Sequence, residues 1–338
     1  MHSVPHPPRR GSLTRRLLGS LGLVLAFVVV ILVFQKPPAP DDGVVDPSPD
    51  DANTGSEARA EQELVDIIER MHPTRLGIST DPASLTDELN RWFSKYSLDE
   101  QVPELVKDEE LRASVLSEEL QERIRAEAFT SADVQMISRA FLCREISDWV
   151  CRSARTDGER LMALFNFVCD TIVEDPGDSK SELPLTPYES LLFGMGNAED
   201  RAWAMASLVQ QPPMSMDAVL IEPDSPDQTN NWLLGVLGTD GTVWLFDLRD
   251  GVAIPPPTDP QGSPVVSQPG TLKDVLDNPG LLTRLDVPGM PYPLTSESLK
   301  NARIRVIASP EQFAPRIASL RFLLPAEIGF EIYRGFGE

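Results

Sequence analysis

The sequence predicts an α+β protein, in which a helical N-terminal half packs with an antiparallel sheet and one transmembrane helix precedes both. Three observations lead there. Apolar residues recur at three- and four-residue spacing between Leu64 and Val168, the period of a helix laid against a core. Short apolar runs at 216–221, 232–237 and 242–247 follow, and the last two are joined by Gly238-Thr239-Asp240-Gly241, whose Asp-Gly pair is a hairpin signal. Leu17 to Phe34 is an uncharged run of 18 residues, about the length that crosses a bilayer.

Composition sets the outer bounds. The 338 residues, 41% hydrophobic and 24% charged, suffice for one good-sized core or two small ones. A net charge of −22 argues against nucleic acid as a partner, because phosphate binding needs clustered Lys and Arg.

Residues 1–16 form a basic arm with Arg9, Arg10, Arg15 and Arg16, and 17–34 is the transmembrane segment. Val33-Phe34-Gln35-Lys36-Pro37 offers no small-residue cleavage site, so an uncleaved signal anchor is expected. Basic residues stay on the cytoplasmic side, which puts the N-terminus in the cytoplasm, Leu17 to Phe34 in the lipid bilayer of the inner or cytoplasmic membrane, and the main domain outside. Residues 35–57 are rich in Pro, Asp and Ser and nearly free of large apolar groups; such a stretch reads as a disordered, solvated tether. Its acids Asp41, Asp42, Asp46, Asp50 and Asp51 lack the loop spacing of an EF-hand calcium site.

A helical region at 58–130 comes next. Helices are expected over Glu61–Met71, stopped by His72-Pro73, over Ser84–Tyr96 and over Val102 to about Ala128. The sequence leaves open whether they form their own bundle or cap the later domain. Ser131–Cys151 and Asp157–Val173 repeat the amphipathic plan and open the core domain, 131–254. Cys143 and Cys151 lie about 12 Å apart along one helix, too far for a disulfide, while Cys169 could reach one of them across helices. Three cysteines leave at least one thiol free, and buried apolar packing is the expected role for all three. Metal binding is not expected: the cysteines lack close-pair spacing and no histidine follows His72. No cofactor is implied.

The segment Tyr188–Gln211 organises this domain. Gly194 and Gly196 permit a tight turn, Asn197 can cap a helix starting near Ala198, and Ala202, Met205, Ala206 and Val209 form its inner face. The first helical position is where the positive helix end would lower a thiol pKa, and here it is alanine. Strands are expected at Ser215–Glu222, Trp232–Leu237 and Thr242–Asp247, with Trp232 and Trp244 packing in the core and Asp247 pairing with Arg249 or Arg201 or capping a turn. Beyond lies a C-terminal α+β extension, 255–338. It holds a Pro-rich arm to Pro269 laid over the surface, short helices in Thr271–Leu285 broken at Asn278-Pro279-Gly280, a strand at Ala302–Ala308, and a helix from Ser309 or Pro310 to about Phe322.

The Gly-rich turn, the helix with Ala202 four residues after Ala198, the strand Met216–Ile221, the stretch Asn230-Asn231-Trp232 and the ending Val243-Trp244-Leu245-Phe246-Asp247 together resemble the transglutaminase-like branch of the papain-type cysteine proteins. The resemblance covers roughly Thr156 to Ile254. It implies a transglutaminase-like core with the nucleophilic cysteine replaced by Ala198, the histidine replaced by Asn230 or Asn231, and the aspartate retained as Asp247. No histidine lies between Pro73 and Glu338, and an amide cannot take a proton, so a Cys-His mechanism has no base there.

The sequence therefore predicts a membrane-anchored, extracytoplasmic pseudoenzyme that binds or scaffolds at the cell envelope, with an envelope protein or peptide as partner and no catalytic residue. The candidate cleft is Gly196, Asn197, Glu199, Asp200, Arg201, Trp232, Trp244 and Asp247. One alternative is a hydrolase or transferase using the carboxylates Glu199, Asp200 and Asp247; the other is a purely structural envelope protein.

Overall fold

A computed structural model describes residues 49–96, 117–174, 185–223, 231–258, 266, 268–325 and 328–332, with side chains from residue 58 onward. Two compact units divide the chain, 1–53 and 54–338, and of the first only the start of one helix is described. The expected span Leu17–Phe34 lies outside the described residues, as do Asn230 and most of the expected tether. Among the described residues no helix is long and apolar enough to cross a membrane.

Helix α1 (Pro49–Glu69) begins within the segment read as tether, and its second half buries Leu64, Ile67 and Ile68 as the stripe predicts. Helix α2 (Pro82–Tyr96) buries Leu85, Leu89 and Trp92. Of the expected helix at 102–128, the described part is α3 (Glu118–Arg125), capped by Ser117. Helices α4 (Ser131–Cys151) and α5 (Asp157–Thr171) both start on capping boxes, Thr130 with Asp133 and Thr156 with Glu159, which satisfy otherwise orphaned N–H groups. Helix α5 stops short of the expected Val173. From the β-branched pair Ile172-Val173 the chain turns extended, and β1 (Val173–Glu174) pairs in parallel with β2 (Met195–Gly196).

Between β1 and β2 lies α6 (Pro187–Phe193), and after β2 comes α7 (Ala198–Val209). Strands β3 (Asp217–Glu222), β4 (Leu233–Leu237), β5 (Val243–Asp247) and β6 (Val252–Ala253) follow, then α8 (Leu272–Asp277), a 3-10 turn at Leu282–Leu285, α9 (Ser296–Lys300) and β7 (Arg303–Val306). These five strands form one antiparallel sheet in the order β6-β5-β4-β3-β7. The Asp-Gly hairpin is present, with Leu237 opposite Val243 and Gly241 at φ +82°. The single C-terminal helix expected from residue 309 is instead a 3-10 turn, Pro310–Phe313, and then α10 (Pro315–Leu323), because Pro315 cannot continue the first turn.

Alternation along the strands divides the packing. Ala218, Leu234, Val236 and Phe246 face α4, α5 and α7 in the central core, while Val219, Ile221, Leu233 and Leu245 face Val275, Leu282, Leu294 and Leu299 on the opposite side. A third core joins α1, α2 and α4 to Ala314, Ile317, Leu320, Phe330 and Ile332. The N-terminal helices and the C-terminal segment thus share one bundle, a question the sequence left open. A buried ion pair pins it: Arg316 grips both oxygens of Asp133 at 3.0 and 2.9 Å, and its Nη1 donates to the carbonyls of Arg123, Ile124 and Ala126.

The Pro-rich arm departs from expectation. Ile254, Pro255 and Pro256 are buried, because Ile254 N–H donates to Leu245 O and Gly270 N–H donates to Ile254 O, drawing the arm into the fold. A Cβ at Gly270 would sit 2.8 Å from Pro255 O, so only glycine allows that approach.

Candidate functional site

The turn before α7 is built as its residues dictate. Gly194 ends α6 in the left-handed region at φ +66°, and its N–H donates to Ser190 O. Gly196 serves a different need. A Cβ there would lie 2.9 Å from Asp200 Cβ and 3.2 Å from Ile172 Cγ2, so its lack of a side chain lets β2 approach the helix start. Asn197 caps α7 by accepting from Asp200 N–H at 2.8 Å, and Asp200 returns the bond to Asn197 N–H at 2.9 Å. The other Asp200 oxygen accepts from Leu185 N–H at 3.0 Å. Ala198 is half-buried against the central core, and Glu199 beside it is exposed.

Arg201, one turn into α7, is buried and holds two other elements. Its Nε donates to Ile172 O at 2.8 Å and its Nη1 to Leu248 O at 3.1 Å, tying the end of α5 and the end of β5 to the helix. Both carbonyls are orphans of ended elements, so the guanidinium replaces lost ladder bonds.

Asp247 is fully buried and accepts from Arg249 N–H, Asp250 N–H, Arg249 Nη2 and the Tyr292 hydroxyl, the last at 2.7 Å. The first two bonds cap the turn after β5, and Arg249 also donates to Asn231 Oδ1. Asn231, Arg249, Asp247 and Tyr292 therefore form one network. Burial, and then the Asp247 charge, raise the Tyr292 phenol far above its usual value; burial and Asp247 in that order also raise Asp250.

The expected cleft residues separate on this geometry. Gly196, Asn197, Asp200 and Arg201 stand together at the start of α7, whereas Trp232, only 7% exposed, belongs to the central core and Trp244 packs half-buried beside it. Asp247 shares the alternation of Leu245, on the opposite face of the sheet from α7. Among the described residues no hydrogen bond links Glu199, Asp200 and Asp247, and no group of three or more His, Cys, Asp or Glu is placed to hold a metal ion.

All three cysteines are free: Cys143 and Cys151 are buried, and Cys169 is partly buried, packed against the central core. It lies on α5 close to the network: its Sγ would be 3.9 Å from a Cβ at Gly251, and it feels both Arg201 and Asp247. Burial pushes its thiol up to about 11, against the pull of Arg201. Cys143 and Cys151 are pushed up by burial to about 12 and about 11. A thiol so raised is almost wholly protonated at neutral pH and is a poor nucleophile. Nothing in the sequence places Cys169 beside Gly251 or Tyr292 on Asp247, because both are brought there by tertiary packing. No protein-family model, no curated protein and no solved structure matches the chain.

Proposed function

We propose that this protein is a membrane-anchored, extracytoplasmic binding or scaffolding protein whose body is a transglutaminase-like framework emptied of its chemistry. The observation that carries the reading is the use to which the retained acid is put. Asp247 spends its carboxylate on four donors that close a turn and hold Tyr292, while the helix start that would present a nucleophile presents Ala198. The order of glycine turn, helix and antiparallel strands supports the resemblance, and Leu17 to Phe34 supports the anchor.

The carboxylate-enzyme reading finds less support. Asp200 and Asp247 are both committed to backbone donors, and Glu199 stands exposed on the first turn of α7. The test is site-specific photo-crosslinking of the full chain in cells, with the crosslinker at Glu199 and, as control, at exposed Lys273. A discrete adduct at 199 and none at 273 is the expected result; equal or absent adducts at both positions would leave a structural body as the better reading.

A further inference from the structure

Helix α4 presents Gln135, Ser138 and Arg139 at the spacing i, i+3, i+4, so the three share one face. They line a half-open cavity of about 290 Å³ together with Tyr188 from α6 and Pro73 and Leu76 from the turn after α1. The polar groups there are unused. Among the described residues the side chains of Arg139, Ser138, Gln135 and Tyr188 make no hydrogen bond to protein, and Arg139 has no carboxylate within ion-pair distance. Ser138 is 7% exposed as a residue, and its hydroxyl opens onto the cavity. Glu189 is the acid that feels Arg139, but its carboxylate is taken up by Thr186, whose N–H and hydroxyl donate to it at 2.8 and 2.7 Å.

A guanidinium offers a fixed fork of donors that matches an oxyanion, and a hydroxyl and an amide beside it add further donors. Pro73, Leu76 and Tyr188 add apolar lining, a setting for the carbon part of a small ligand. We infer that this cavity binds the oxyanion of a small organic acid, a carboxylate or a phosphate ester, with Arg139 as the principal donor. In a chain of net charge −22 an uncommitted, half-buried arginine is a local exception that would concentrate such anions.

The test is calorimetric titration of the full chain in nonionic detergent with benzoate, phenyl phosphate and the neutral benzyl alcohol. Saturable binding of benzoate or phenyl phosphate is expected, and which of the two binds tells carboxylate from phosphate. Arg139→Gln should weaken it by about tenfold or more, the loss of a charge-assisted pair, and Ser138→Ala by about threefold. Among the described residues neither side chain bonds to the protein, so both variants should fold; Arg139→Lys, which keeps the charge, should bind between wild type and Arg139→Gln. Absence of saturable binding by both acids, undiminished binding in Arg139→Gln, or equal binding of benzyl alcohol overturns the proposal.

Discussion

At the residue scale the fold is held by a few buried polar groups whose partners come from far along the chain. Asp133 and Arg316 are both nearly inaccessible, and removing one strands the other's charge. Asp133→Ala is expected to cost about 3–5 kcal/mol, and replacing both by apolar residues much less. Urea unfolding of both variants checks this. Tyr292→Phe removes one donor to buried Asp247 and should cost about 1.5–3 kcal/mol by the same measurement. Asp250 carries the opposite sign. Its folded pKa lies above the usual 3.8, so it favours the folded state at low pH and that contribution is lost as pH rises through the folded value. Asp250→Asn should therefore gain stability relative to wild type between about pH 3 and pH 6. The pairing of Asp247 with Arg249 was legible because two residues separate them. The Tyr292 contact, 45 residues on, left no local trace.

At the element scale most starts and stops were readable, since caps and breakers act over three or four residues. The helix at Ser131–Cys151 and the one beginning at Ala198 coincide with expectation because Thr130 pairs with Asp133, and Asn197 with Asp200, within their own first turns. The misreadings arose where a distant element took over. Helix α5 ends early because Val173 pairs with Met195, and the proline arm is buried because Gly270 and Leu245 bond to Ile254. The turn before α7 depends on its glycines for different reasons, and each is testable. Gly194→Ala puts a Cβ at a left-handed position and should cost about 1–2 kcal/mol. Gly196→Ala, pressed against Asp200 and Ile172, should cost about 1–3 kcal/mol, read by thermal unfolding.

At the scale of the whole molecule, Ala314, Ile317, Leu320, Phe330 and Ile332 complete the bundle built by α1, α2 and α4, and β7 extends the sheet beside β3. Helical and strand periods could reveal each element but not which partner it meets, because the period of a stripe carries no address. The same limit applied to the candidate site. Gly196, Asn197 and Arg201 could be placed on one helix start, yet the face taken by Asp247 depends on strand register and on Tyr292. If the anchor is as proposed, the full chain should remain with membranes after alkaline extraction, whereas residues 56–338 should not. The proposal of a framework without catalysis bears hardest on Cys169, whose Sγ would lie 3.9 Å from a Cβ at Gly251 in the turn after β5. Its alkylation rate as a function of pH is the most direct test. The account predicts slow labelling at neutral pH that rises toward a thiol pKa of about 11 and is no slower in Asp247→Asn. Fast labelling at neutral pH that falls away in Asp247→Asn would contradict it and reveal a working nucleophile.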